Sequence, residues 1–385
     1  MAENRIYPLA RPPGHKPPME RWKLDFPSST STSPTTVYTA YIGIQRHSST
    51  LDTLAAFTKA TQAIQVWLSG DTNNDPVAEK FTFIEGDDAP SSLTWVCYWS
   101  NPTAYSSRMS SLNLPDIYDD IGKPDSIGLW IEKFTTPTSR LETNYSGLDY
   151  LPGLARLPGS QTVGHTLTAY WGAARDRIPD SAKDLFGRSA GGEIDSNSLN
   201  RVNSGSTDPS PTPTPTPKPA GLRQRLSGAN RFDNLVHIRS GQFWGNCDAV
   251  ETEAYEAHLE PSLRAGLRWV WENRDESGAM GLRFIRNVPL SNTNLKDWVD
   301  PAKETCAAGF FRNLEDLERW AKRHPSHLKI FNGAIRHAKT FGDARKFRTW
   351  HEVSVLKKGE AEFEYVNCLP ETGVIRFLPL EREDL

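Results

Sequence analysis

Between Arg188 and Ala220 the sequence reads RSAGGEIDSNSLNRVNSGSTDPSPTPTPTPKPA. Alternating prolines and threonines are expected to form a stiff, polyproline-like rod, with flexible chain at the serine and glycine before it. Neither piece carries enough apolar surface to build a core. The stretch therefore divides the chain, and a surface excursion is expected there. This predicts an N-terminal arm over residues 1–36, a first half over 37–187, an insertion over 188–221 and a second half over 222–385. The arm is rich in proline, serine and threonine, and should either drape over the body or stay mobile.

The two halves share a pattern. The first opens on the strand-like run TAYIGIQ (39–45), followed by a helical run from Leu51 to Leu68. Strands are then expected at Leu93–Trp99 and Gly128–Phe134, with a helix near Ala104–Leu112 between them. The second half opens on LVHIRSGQ (235–242), and a long helical pattern runs from Glu251 to Asn273. After it come the strand GLRFIRN (281–287), a helix at Leu314–Lys322, and the strands TWHEVSV (349–355) and FEYVNC (363–368). Each half starts strand–helix–strand. This predicts the α+β class, with two ferredoxin-like halves forming a mainly antiparallel, barrel-like sheet with flanking helices.

Composition narrows the function. Of 385 residues, 37% are hydrophobic and 12 are tryptophan, enough apolar mass for a substantial core. Basic and acidic residues number 44 and 47, a net charge of −3, which argues against nucleic acid as the main partner. The lack of a long apolar run argues against a membrane span. Cys97, Cys247, Cys306 and Cys368 are far apart and form no C-x-x-C, and the N-terminus lacks a secretory apolar stretch. A reduced, cytoplasmic protein is therefore expected, in which the sequon Asn144-Tyr145-Ser146 meets no glycosylating compartment.

The sequence lacks a phosphate-binding loop. Gly187–Gly191 fits G-x-S-x-G around Ser189, but a nucleophile elbow needs a strand before it and a helix after it. The flanks DSAKDLF and GEIDSNS offer neither, so a serine hydrolase is disfavoured. His351-Glu352-Val353-Ser354-Val355 begins like H-E-x-x-H but has Val355 in place of the second histidine. His324 and His327 have a spacing that would share one helix face, yet Pro325 lies between them and argues against a two-histidine zinc site. A single axial histidine makes a different demand, one imidazole at an apolar slot. LKIFNGAI (328–335) supplies such neighbours, although the residues alone favour a structural histidine. In TWHEVSV, His351 alternates onto the face of Val353 and Val355, and the pattern leaves a functional and a structural role equally open. Ser240 ends an apolar strand before Gly241, where it either faces a ligand or caps a turn. In YWGAARDR (170–177) an aromatic pair precedes two arginines, which by themselves read as surface ion pairs.

Taken together, these segments resemble the haem-containing aldoxime dehydratases. The densest likeness is in LEDLERWAKRHPSHLKIF (314–331), WHEVSVL (350–356) and FEYVNCLPETGV (363–374). FDNLVHIRSGQFW (232–244), YWGAARDRIP (170–179) and LRFIRN (282–287) add to it. The resemblance implies dehydration of an aldoxime, R–CH=N–OH, to a nitrile. It implies a non-covalent b-type haem, ferrous in the active state, with His327 as axial iron ligand and the oxime bound through nitrogen. The absence of C-x-x-C-H agrees with a non-covalent haem. On the distal side it implies His351 as acid–base group, with Ser240 and Arg177 holding the hydroxyl oxygen. Arg175 is the weaker claimant to the Arg177 position, and Glu142, in RLETNY, is implied as an assisting acid. A homodimer is implied as well. The competing readings are a peroxidase-like or gas-binding haem protein on a related scaffold, and a non-catalytic interaction protein that docks through its proline-rich stretch.

Overall fold

The structure, a computed structural model, describes residues 5–11, 21–26, 35–70, 75–189, 221–290 and 302–385. The expected insertion lies almost entirely outside them. In chain order the elements begin with β1 (Arg21–Asp25), β2 (Thr36–Arg46), α1 (Leu51–Leu68), β3 (Val77–Gly86), β4 (Leu93–Trp99), α2 (Pro102–Ser110), α3 (Leu114–Asp120) and β5 (Ile127–Pro137). Next come β6 (Leu141–Tyr145), β7 (Gln161–His165) and β8 (Gln224–Ala229). The second unit runs β9 (Leu235–Phe243), α4 (Ala249–Ala254), a π-helical turn (Tyr255–Leu259), α5 (Glu260–Glu272), α6 (Arg274–Ser277), β10 (Ala279–Val288) and β11 (Glu304–Phe311). It continues with α7 (Leu314–Arg323), α8 (Pro325–Phe341) and β12 (Arg348–Leu356), after which β13 (Ala361–Val366) and β14 (Glu381–Asp384) follow. Among the described residues no helix is long and apolar enough to cross a membrane.

Local chemistry sets these elements. Thr50 caps α1 by accepting a hydrogen bond from the Thr53 N–H, and Asp52 lies in the first turn. Phe57, Ala60, Thr61 and Ile64 repeat at helical spacing and are buried. Burying Phe57 and Ile64 contributes about 1.5–3 kcal/mol each. Pro261 lacks the N–H that would bond the carbonyl four residues back, and the helix widens into its π turn just before it.

All strands join one sheet in the order β14-β8-β13-β5-β2-β4-β3-β10-β11-β9-β12-β6-β1-β7, and every pairing is antiparallel. Within it, β5-β2-β4-β3 and β12-β9-β11-β10 each follow the order fourth–first–third–second. That is the order of a βαββαβ unit, so both halves are ferredoxin-like. They meet edge to edge where β3 pairs with β10. The repeat extends to side chains. Gly43 faces Trp130 across β2 and β5, and Gly241 faces Trp350 across β9 and β12. A Cβ would come within 1.9 Å of Trp130 at Gly43 and 2.2 Å of Trp350 at Gly241, so each glycine makes room for an indole lying across its strand.

Several elements are not those the periodicity indicates. β3, β11 and α8 lie in stretches where no element is expected. The halves also exchange edges. β8, β13 and β14 extend the sheet beside β5, whereas β6, β1 and β7 extend it beside β12. The described parts of the arm drape over the body. β1 pairs with β7 along its whole length, and the Ala10 and Arg11 N–H groups donate to the Asp176 carboxylate at 2.8 and 2.9 Å.

Alternation along the strands gives each half two covered faces. One face of both halves contributes to a shared cluster that includes Tyr41, Trp130, Phe310 and Trp350. The other face lies under that half's own helices. In the first half Phe57, Trp67, Trp95 and Trp99 fill this space. In the second half it is only partly filled, and the cavity described next opens there.

Candidate functional site

Counted together with the open space at its mouth, the cavity has a volume of about 1310 Å³. Its floor is the β6-β12-β9-β11 portion of the sheet. Register brings Asn144, His351, Ser240 and Ala307 into one row across these four strands, and all four line the cavity. Residues directly opposite in a sheet share a face, so the row places an imidazole, a hydroxyl and an amide side by side. The next row, two residues along, holds Thr349 and Gln242.

His351 is buried and held from both sides. Its Nδ1 lies 3.1 Å from the Glu142 carboxylate, and its Nε2 lies 3.2 Å from Asn144 Nδ2. Burial pushes the Glu142 pKa up, but Arg177 and then His351 overcome this and hold it at about 2. Glu142 is thus an acceptor at neutral pH, so the Nδ1 of His351 carries the proton and Nε2 receives the Asn144 N–H. Burial lowers the His351 pKa while Glu142 works against that fall, leaving the ring neutral at rest. His165 Nε2 in turn meets Asn144 Oδ1 at 3.0 Å, which orients the amide.

The facing wall is helical. α8 starts cleanly because His324 caps it and Pro325 occupies the first turn, where its missing N–H costs nothing. The proline that argues against a helix through 324–327 is the helix's starter. It also separates the two histidines. His324 stacks on Trp269 with ring centroids 3.6 Å apart, and its Nδ1 bonds the Ser326 hydroxyl at 2.8 Å. His327 lines the cavity at the head of a stripe with Ile330, Phe331, Ala334, Ile335 and Ala338. Its Nδ1 is buried without a hydrogen-bond partner, and burial pushes its pKa down to about 4. A neutral imidazole with one ring nitrogen lacking a hydrogen-bond partner, on an apolar cavity wall, has the chemistry of an axial haem ligand. Trp171 lies near both histidines, 6.0 Å from the His327 ring and 5.3 Å from the His351 ring.

The remaining expected residues fall elsewhere. Arg177 is buried but does not line this cavity. Its Nε pairs with Glu142 and its Nη1 donates to the carbonyls of Thr168 and Tyr170. Arg175 pairs instead with Glu318 on α7 at 3.5 Å. Ser189 follows irregular chain rather than a strand, and its Oγ accepts from the Asp233 N–H at 3.4 Å. The sequence reading passed over Asn144 except as a sequon. It also gave no role to Arg21, Gln242 and Arg345, which line the cavity too.

The family model described as haem-containing dehydratase matches residues 40–374. An aliphatic aldoxime dehydratase of Pseudomonas chlororaphis is 31% identical over 287 residues, covering 74% of this chain and 72% of its own. A phenylacetaldoxime dehydratase of Bacillus sp. (strain OxB-1) is 28% identical over 369 residues, covering 95% and 93%. A solved aldoxime dehydratase in complex with butyraldoxime superposes with a TM-score of 0.76 at 25% identity, covering 98% of this chain and 94% of that one. On the extent of the family match and the similarity of these relatives, the chain belongs to the haem-containing dehydratases.

Proposed function

We propose that this protein is a lyase that converts aldoximes to nitriles and water with a b-type haem held by His327. One observation carries the reading. A single apolar cavity has on its helical wall a neutral imidazole whose Nδ1 lacks a hydrogen-bond partner, and on its sheet wall a carboxylate-backed imidazole. In the overall change, R–CH=N–OH gives R–C≡N and H₂O, so electrons balance without an external oxidant or reductant. When bound, the haem iron supplies an electron-rich site for the oxime nitrogen.

The chain's own residues supply the rest. In its imidazolium form, reached by uptake of a proton from solvent, His351 protonates the departing hydroxyl, and the neutral ring so formed accepts the proton from carbon, so one imidazole serves both transfers. A positioned acid–base group contributes about 10²–10⁴-fold. Ser240, adjacent to His351 in the same row, orients the hydroxyl oxygen. Glu142 acts through His351 by stabilising its imidazolium form, and Arg177 acts through Glu142 by keeping that carboxylate ionised. The apolar helical wall excludes bulk water from the reacting atoms.

The test is turnover. Dithionite-reduced, haem-loaded protein incubated without oxygen with phenylacetaldoxime should release phenylacetonitrile, identified by chromatography. Protein that binds carbon monoxide yet forms no nitrile from aryl or alkyl aldoximes would instead be a haem protein of another class.

A further inference from the structure

The cavity contains a cation that the reaction above does not use. Arg345 lies on the segment joining α8 to β12 and lines the cavity beside Phe347, with its guanidinium 5.2 Å from that ring's centroid. Only 6% of the residue is exposed, and its Nε is buried without a hydrogen-bond partner. Among the described residues no carboxylate oxygen forms an ion pair with it within 4 Å. Glu251 contributes a favourable field, but its carboxylate is engaged by the Lys346 and Phe347 N–H groups at 2.8–3.0 Å. Arg21, from β1, lines the same cavity. Burial, and then the charge of Arg345, lower its proton affinity. Arginine does not escape such a setting by losing its proton, so a buried guanidinium of this kind calls for an anion.

We propose that this corner binds a carboxylate, and that the Arg345 guanidinium pairs with a propionate of the haem. The inference rests on the haem reading of the cavity. An aldoxime group brings no charge, whereas haem is an apolar disc with carboxylates on one edge. The cavity has a matching polarity. His327 begins the α8 stripe, Ala338 ends it about 16 Å away along the axis, and Arg345 lies beyond that end. The forked donors of arginine suit a carboxylate.

The experiment measures haem loss to an excess of apomyoglobin, for wild type and Arg345→Gln, each loaded with haem or haem dimethyl ester. Arg345→Gln should release haem about 10- to 100-fold faster, the effect of losing one charge-assisted contact. The ester should also leave wild type faster than haem does. In Arg345→Gln that penalty should shrink by the factor the substitution costs. The ester arm uses the unaltered protein, so misfolding of the variant does not obscure the answer. An Arg345→Gln protein that keeps haem as long as wild type would overturn the proposal, as would an ester penalty unchanged in the variant. A carboxylate-bearing aldoxime whose KM depends on Arg345 while haem loss does not would place the carboxylate on the substrate, and would also overturn it. Wild type that takes up neither haem nor ester would instead overturn the haem reading itself.

Discussion

Replacing His327 with alanine should give a folded protein that purifies without a Soret band. His327 and His351 are the only histidines lining the cavity among the described residues, and no cysteine lines it. His351 lies on the sheet wall with its Nδ1 committed to Glu142, so it does not take the place of His327 on the helical wall. Haem affinity in the variant would rest on apolar burial and the cavity's polar rim alone. The loss should not come from unfolding. His327 buries its Nδ1 without a hydrogen bond, which costs about 1–3 kcal/mol and offsets part of what the ring's contact with Trp320 contributes to the apoprotein. The measurement pairs haem absorbance per mole of protein with the urea midpoint of the apo forms. Stoichiometric haem in His327→Ala would remove the ligand assignment. Loss of haem together with a collapsed urea midpoint would trace it to the fold.

Short-range chemistry in this chain was readable, and chemistry that depends on long-range register was not. α1 was visible because its cap, its apolar spacing and its end all lie within 20 consecutive residues. α8 was hidden because Pro325 reads as a breaker until His324 is seen to cap the helix. β11, with the sequence ETCAAGFF, has small residues where a strand signal needs branched or aromatic ones, and its place between β9 and β10 comes from the sheet. The site was less legible still. Glu142 and Asn144 lie more than 200 residues from His351 in sequence, and only the β6–β12 register brings them together. The family likeness pointed to His327, His351, Ser240, Arg177 and Glu142. The first three line the cavity, whereas Glu142 and Arg177 stand behind its lining, Glu142 against His351 and Arg177 against Glu142 and the Tyr170 carbonyl. Nor does hydropathy reveal why the second half is hollow. Trp67, Trp95 and Trp99 pack the first half, whereas Ala307, Ala334 and Ala338 leave room in the second.

His351→Ala should keep its haem and lose about 10²–10⁴-fold in turnover, since it removes the group assigned to both proton transfers but not the axial ligand. Near wild-type turnover would show that the proton comes from elsewhere. Glu142→Gln asks the finer question of what the carboxylate does for that imidazole. Burial is the larger influence on His351 and lowers its pKa, whereas Glu142 raises it. If the imidazolium form protonates the hydroxyl, turnover falls as pH rises through the His351 pKa in the substrate complex. Removing the carboxylate takes away the raising influence, and Arg177, stripped of its counter-charge, pushes the same way. The alkaline limb of kcat against pH should therefore move to lower pH in Glu142→Gln, with haem content unchanged. A carboxylate that merely braced the strand would lower kcat at every pH and leave the limb in place. A limb that stayed put, or moved to higher pH, would show that Glu142 does not tune the proton affinity of His351.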